Sequence, residues 1–393
     1  MKSHLDTQKL SESQSGVRPH AGLGRIKPHM VIESSADLPT IHIDISSNES
    51  VYGPSQSAIS AVRKQSGSMY RYASDAVREL TAQIARTHGI DPDGIVCGHG
   101  SDDLLLRIAQ SFLQPDDELI CSVNGYQRIP NFAHTANAKP IRAADREFTA
   151  DIDRIVECVN DRTRVVMLAN PDNPSGTCLP GKEVRQLHAR LPDNVLLVLD
   201  SAYLEYVDLP AFEDPKFLIE ESGNVVMTRT FSKIHGLAGL RLGWMYAAPE
   251  VAVAVRKIGM TFPLSNVAYS AGMASLDDLS HSEFVYRQNR SVRTEFAGGL
   301  TQLELEVIPS QTNFVLVRFP HSSHTAQKAY EFLRSQGILA RRLMSESFTE
   351  YLRFTLGTPE QMNEVLDTLE LFFDRQRSRS ETPDRCLSTS VRS

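Results

Sequence analysis

An α/β architecture, with a largely parallel sheet between helices and a smaller α+β domain toward the C-terminus, is predicted by three features of this chain. Short apolar, β-branched runs of strand length alternate with helix-length stretches in which apolar residues recur every three or four positions. Such alternation is the pattern of strands joined by helical crossovers. The length, 393 residues, suits two domains or one large domain with an appendage. From about Asn289 the order changes to a long helical stretch followed by single strands and helices, which reads as a separate small domain.

Taken in order, residues 1–40 are rich in Ser, His, Gln and Pro, carry no sustained period, and read as a partly disordered arm. The large domain is expected over 41–288. Within it, periodicity predicts helices over 74–87, 102–113, 181–191 and 249–260, and strands over 94–97, 164–169, 195–199 and 224–228. The small domain, 289–376, follows with a strand over 312–318, a helix over 325–336, a strand over 351–356 and a helix over 359–374. The remainder, 377–393, alternates Arg, Ser, Thr and Pro and reads as a disordered tail.

Composition narrows the classes of function. Hydrophobic residues are 41% and charged residues 23%, the ordinary globular range, and the net charge of −7 argues against a nucleic-acid or membrane-surface partner. Met1 to about Pro19 contains no apolar segment of the secretory kind, and no run approaches the roughly 18 apolar residues of a membrane span. Cys97, Cys121, Cys158, Cys178 and Cys386 show neither metal-site spacing nor a C-x-x-C pair. A reducing, cytoplasmic compartment and no bound metal are the expectations.

Five stretches carry chemistry. Thr230, Phe231, Ser232 and Lys233 form a hydroxyl-rich turn holding one lysine, and Arg241 lies in the Gly-Leu-Ala-Gly-Leu-Arg-Leu-Gly stretch beyond it. A lysine near another cation in a partly desolvated place is more easily unprotonated and nucleophilic, although a lone lysine is more often a solvated surface charge. Gly98, His99, Gly100, Ser101 and Asp102 make a glycine turn between a strand and a helix, where backbone N–H groups can hold a phosphate or merely turn the chain. Asn170, Pro171, Asp172, Asn173, Pro174, Ser175 and Gly176 make a rigid loop after a buried strand, at the sheet edge where α/β enzymes bind ligands. Asp200 ends an apolar strand and needs a cationic or donor partner there, or caps the next turn; Tyr203 follows as a hydroxyl donor or a packing residue. Arg353, on a short apolar strand, suits a carboxylate or phosphate, or is an edge-strand charge.

Together these stretches resemble the fold-type I pyridoxal phosphate-dependent aminotransferases, and within them the histidinol-phosphate aminotransferase branch, from about Ile43 to Phe373. The resemblance implies a large domain with a mostly parallel sheet, a smaller domain, and pyridoxal 5'-phosphate as cofactor. It implies that Lys233 joins the cofactor as a Schiff base and acts as general base. By the same likeness Thr230, Ser232, Arg241 and the backbone of Ser101 and Asp102 hold the cofactor phosphate, and Asp200 pairs with the ring nitrogen. Asn173 and Tyr203 would reach the ring hydroxyl, and Tyr126 would stack on the ring. Tyr72 would reach the phosphate of a neighbouring subunit, which implies a homodimer. Arg353, with Asn48, Arg341 and Asn313, falls on the substrate side. At that end the sequence departs from the family pattern, since Ser50 and Val51 stand where an Asn-Pro pair is usual.

The implied reaction is transfer of an amino group between an amino acid, or an amino-alcohol phosphate, and a 2-oxo acid. Two alternatives stay open on the sequence. One is decarboxylation or another Cα lyase step, as in the threonine-phosphate decarboxylases that share these motifs. The other is a ligand-sensing regulator, for which the first 38 residues are too short to supply a DNA-binding domain.

Overall fold

The computed structural model describes residues 20–26, 40–73, 75–320 and 324–380. The expectations for most of the N-terminal arm and for 381–393 therefore lie outside the described residues. The chain divides into two compact units. The first contains Glu49–Arg290 with Pro309–Asn313, and the second contains Ser291–Ile308, the chain from Phe314 onward and the stretch ending at Asn48.

The first unit is organised by seven strands: β1 (Ile95–Gly98), β2 (Glu118–Ser122), β3 (Lys139–Ala143), β4 (Thr163–Ala169), β5 (Leu196–Asp200), β6 (Val225–Thr230) and β7 (Gly243–Ala247). They lie in the order β1-β7-β6-β5-β4-β2-β3. Every neighbouring pair is parallel except those of β7, which runs antiparallel to β1 and β6. Alternate residues of the central strands enter two different cores. Leu197, Leu199 and Met227 pack with Leu80 and Ile84 on one face. Val198, Val226 and Met245 pack with Leu105 and Ile108 on the other. Both faces are covered, so these strands read as continuous apolar runs, and each fully buried aliphatic side chain contributes about 1.5–3 kcal/mol.

Helices Ala76–His88, Ser101–Phe112, Gly181–Arg190 and Pro249–Lys257 occupy the places that periodicity predicts. The first ends at Gly89, whose φ of 65 gives the left-handed cap that stops a helix. The helix expected from Asn289 begins earlier and runs over Leu279–Gln302. Its opening residues, Ser280, His281, Ser282 and Glu283, are polar, so the apolar stripe starts well inside the helix.

The second unit has a four-stranded antiparallel sheet of β8 (Glu306–Ile308), β9 (Phe314–Arg318), β10 (Arg341–Arg342) and β11 (Tyr351–Thr355), ordered β8-β9-β11-β10. Helices Ala326–Ser335 and Pro359–Ser380 belong to it, the former capped by the Thr325 hydroxyl, which accepts the Lys328 N–H. Ile43–Asp44 pairs in parallel with Ile338–Leu339 and ties the start of the unit to its middle. Its core centres on Phe296, Leu333, Phe354 and Val365. Phe296 and Phe354 meet edge to face with ring centroids 5.8 Å apart. Phe354→Ala is expected to destabilise this unit by about 3–5 kcal/mol, read from far-UV circular dichroism in urea; a loss below about 1 kcal/mol would contradict this account of the core.

Candidate active site

Parallel strands align their C-terminal ends on one edge of the sheet, and the chemistry-bearing stretches of the first unit gather there. Gly98 ends β1, Asp200 ends β5, Thr230 ends β6, and the Asn170 loop follows β4. Because β7 runs the opposite way, its first residue, Gly243, pairs with both Gly98 and Thr230. One glycine thus draws the two turns together. A Cβ on Gly243 would lie 2.7 Å from the Gly100 carbonyl carbon and 2.8 Å from the Ser101 nitrogen, so no side chain fits between them.

The first cluster gathers hydrogen-bond donors. The helix Ser101–Phe112 starts after Gly100, at φ 82, with no side chain capping its free N–H groups. Ser265, by contrast, caps the helix Asn266–Asp277 by accepting the Ala268 N–H, whereas the helices Ala76–His88 and Gly181–Arg190 also start without a side-chain cap. The Thr230 hydroxyl accepts the Ser232 N–H at 3.1 Å and donates to Ser232 Oγ at 3.0 Å. Arg241 donates from Nη1 to Ser232 Oγ at 3.4 Å and to the Ala238 carbonyl at 2.9 Å. Its backbone is left-handed at φ 51, a conformation that costs a non-glycine residue about 1–2 kcal/mol. Its guanidinium lies so close to Gly100 that a Cβ there would be 2.7 Å from Nη2. Two hydroxyls, a guanidinium and a helix N-terminus therefore converge, the donor set that suits a phosphate.

The second cluster is acidic and buried. Asp200 is enclosed at the end of β5 and accepts the Thr228 hydroxyl at 2.8 Å. Burial pushes its carboxyl up to about 7; the Thr228 hydrogen bond and the charge of Lys233 pull the other way, and Asp102 adds to the rise. Lys233 places Nζ 5.6 Å from the ring centroid of the buried Tyr203. Thr228 carries no signal of chemistry in the sequence. Its clue is strand geometry, since Thr228 and Thr230 are two apart on β6 and share a face, and Thr228 is the cross-strand partner of Asp200.

The loop after β4 is fixed from within. Asn170 closes it by accepting the Leu179 N–H at 2.8 Å and donating to the Leu179 carbonyl at 3.2 Å. Asp172, buried, accepts the Ser175 hydroxyl at 2.8 Å, and burial raises its carboxyl to about 7. The peptide bonds before Pro171 and Pro174 are cis, and Asn173 is half-buried between them. Tyr126 donates its hydroxyl to Asp102 Oδ1 at 2.9 Å, and burial raises it well above the ordinary phenol range. Asp102 also lies 3.5 Å from Arg128 Nη1. The Tyr126 ring is thereby bonded to the first turn of the Ser101 helix.

The remaining candidates lie elsewhere. Tyr72 is 76% exposed and stacks on Phe262 at 4.2 Å, outside both clusters. Asn313, in the first unit, donates to the Glu49 carbonyl at 3.3 Å. Arg353, Arg341 and Asn48 belong to the second unit. Arg353 is 7% exposed, donates to the Ser46 carbonyl at 2.9 Å and sits over the Phe314 ring. Arg341 is its cross-strand neighbour on β10. Asn48 is held by Thr355, whose Oγ1 accepts the Asn48 N–H at 2.9 Å and donates to Asn48 Oδ1 at 3.1 Å.

Comparison with known proteins agrees with this arrangement. The model of the family "Aminotransferase class I and II" matches residues 40–369. The chain is 40% identical over 355 residues to a histidinol-phosphate aminotransferase of Rhodospirillum centenum, covering 90% of this chain and 98% of that one. It is 38% identical over 369 residues to a histidinol-phosphate aminotransferase of Granulibacter bethesdensis, covering 93% of this chain and 99% of that one. Among solved structures, histidinol-phosphate aminotransferase from Sinorhizobium meliloti in complex with pyridoxal-5'-phosphate superposes with a TM-score of 0.81 at 29% identity, over 86% of this chain and 92% of that one. A Thermus thermophilus aspartate aminotransferase shares the fold at a TM-score of 0.75 and 20% identity, over 86% of this chain and 92% of that one. No helix among the described residues is long and apolar enough to cross a membrane. With its sheet, its edge-gathered site and a family match spanning most of its length, the chain belongs to the class I and II aminotransferases and is an aminotransferase of fold type I.

Proposed function

We propose that the chain, with pyridoxal 5'-phosphate as cofactor, moves an amino group between histidinol phosphate, or a closely similar amino-alcohol phosphate, and a 2-oxo acid. The observation that carries this reading is the pairing of a phosphate-type donor cluster with a buried carboxylate and a lysine on one sheet edge. The named activity of relatives about 40% identical supports the substrate. It also favours transamination over the lyase alternative.

The residues present fit the cofactor at both ends. Thr230, Ser232, Arg241 and the N–H groups of Ser101 and Asp102 would hold its phosphate. Asp200, buried and raised by that burial, is an acid that gains by meeting a cation, and it would keep a proton at the ring nitrogen. Thr228 aims the carboxylate through the bond to Oδ1. Tyr126 would cover one face of the ring, and Asn173 and Tyr203 would donate to its hydroxyl. When bound, the cofactor supplies an aldehyde for the amino group and a ring that withdraws electrons from the substrate's α-carbon.

Lys233 Nζ would tether the cofactor before the substrate arrives, then carry the proton away from the substrate's Cα as general base. The Tyr203 ring centroid lies 5.6 Å from that amine. Arg353, helped by Arg341, Asn48 and Asn313, would hold the acidic group of the substrate. Tyr72 would serve the phosphate of a neighbouring subunit in a homodimer. That role is supported by its exposure beside exposed Met69, Tyr70 and Met260. A reducing, cytoplasmic setting is supported by the free thiols of Cys97, Cys121, Cys158 and Cys178.

Lys233→Ala is expected to lower kcat with histidinol phosphate and a 2-oxo acid by at least about a hundredfold and to abolish the borohydride-reducible link to the cofactor. A reducible link persisting at the same site would sink the assignment. A panel of amino donors tests the substrate: wild-type protein that turns over other amino acids but not histidinol phosphate refutes that part of the reading.

Asp200 and Asp172 also set a pH dependence. Both are raised by burial to about 7 from the ordinary 3.8. A raised carboxyl gives its full stability below its unfolded pKa and loses it as pH climbs through the folded one. The Tm of cofactor-free protein should therefore fall as pH rises from about 4 to 7. Pyridoxal phosphate gives Asp200 a cationic partner and removes its share, so the Tm of the loaded protein should fall less over that window. Asp200→Asn in the cofactor-free protein should flatten the slope likewise; equal slopes in all three would show that Asp200 is not so placed.

A further inference from the structure

We propose that Asp103 and Arg107 are positioning residues for phosphate recognition, a clamp that makes an acid-rich helix start acceptable to an anion. This rests on the reading of the Ser101 helix as the cofactor's phosphate seat. The first turn of that helix carries two carboxylates, Asp102 and Asp103. Acids there please the helix itself, because they answer the partial positive charge of its free N–H groups. They also compete with a bound phosphate for those groups and repel it.

The structure turns both carboxylates away. Asp102 is taken by the Tyr126 hydroxyl and Arg128. Asp103 folds back instead of capping. Its Oδ2 accepts the His99 N–H at 2.9 Å, and its two oxygens take Arg107 Nε at 3.0 Å and Arg107 Nη2. The fork is bidentate, so it fixes orientation as well as charge. Arg107 is 5% exposed, and a buried guanidinium is tolerated only when its partner is in place.

Two glycines make room for the clamp. A Cβ on Gly98 would lie 2.6 Å from Asp103 Oδ2, and one on Gly259 would lie 2.7 Å from Arg107 Nη1. Through His99 the clamp sets the Gly98–His99 peptide plane, which aims the turn. Through Arg107 it offsets the carboxylate charge of Asp103 in the helix's first turn. An ordinary i,i+4 ion pair would stiffen the helix without discriminating among ligands. This pair should discriminate between a phosphorylated and an unphosphorylated cofactor.

The experiment strips the cofactor and measures equilibrium dissociation constants for pyridoxal phosphate and for pyridoxal, which lacks the phosphate. Arg107→Gln leaves Asp103 uncompensated and is expected to weaken pyridoxal phosphate by about tenfold or more, with pyridoxal changed by less than about twofold. The double variant D103N/R107Q removes both charges and keeps an acceptor for His99. It should return to within about threefold of wild type for pyridoxal phosphate, even with a lowered Tm. Should Arg107→Gln fail to accumulate, Arg107→Lys keeps the charge without the fork and should weaken pyridoxal phosphate alone by about threefold. Equal weakening of both ligands, no weakening, or a double variant no better than Arg107→Gln overturns the proposal. A wild-type protein with no preference for pyridoxal phosphate over pyridoxal overturns the phosphate-seat reading itself.

Discussion

One antiparallel strand governs the site. In a purely parallel sheet, β1 and β6 would each deliver a loop at the shared edge, with a strand of the same direction between them and its own loop in the way. Reversing β7 puts a strand start between two strand ends, and that start is Gly243, paired with Gly98 on one side and Thr230 on the other. The missing side chain lets the Gly100 turn pack directly against the start of β7, beside the end of β6 at Thr230. The left-handed backbone of Arg241, just before the strand, is the local cost of that closure.

Charge is arranged around this closure by burial more than by number. The carboxylates of Asp102, Asp103, Asp172 and Asp200 all lie in the first unit near strand ends, a concentration of acid that would defeat anion binding if it were free. Each is spoken for: Asp102 by Tyr126, Asp103 by Arg107, Asp172 by Ser175, Asp200 by Thr228. Neutral hydroxyls meet the two most buried ones, which leaves Asp200 short of a counter-charge. A cation is what such a site asks for, whereas the neighbouring cluster of Arg241, Ser232 and Thr230 asks for an anion.

The sequence displays much of this and hides the rest for physical reasons. β4, β5 and β6 are legible because both faces are buried, so Val165 to Leu168, Leu196 to Leu199 and Val225 to Met227 are unbroken apolar runs. β3 is not, because Lys139, Pro140 and Arg142 at the sheet edge dilute the signal. β7 begins with a glycine inside a stretch already conspicuous for Arg241, so its strand character is masked by its neighbour. The helix Asn266–Asp277 is built on Ala, Gly and Ser, whose small side chains give little periodic contrast. In the site, Lys233, Asp200 and the hydroxyl turn are visible as residue types. Thr228 and the Asp103–Arg107 clamp exist only once strand register and helix phase bring partners together.

The placement of the phosphate seat also bears on how such a protein changes over time. Its parts come from strand ends and turns locked by glycines at 98, 100 and 243, where a substitution would collide with backbone or with a charged side chain. Arg353, Arg341 and Asn48 sit on or beside a small antiparallel sheet with its own core. On the proposed reading, anchorage and most of the substrate's recognition are written in separate parts of the chain: exchanges on β10 and β11 would alter the preference for one amino donor over another while the residues assigned to the cofactor's phosphate stay in place.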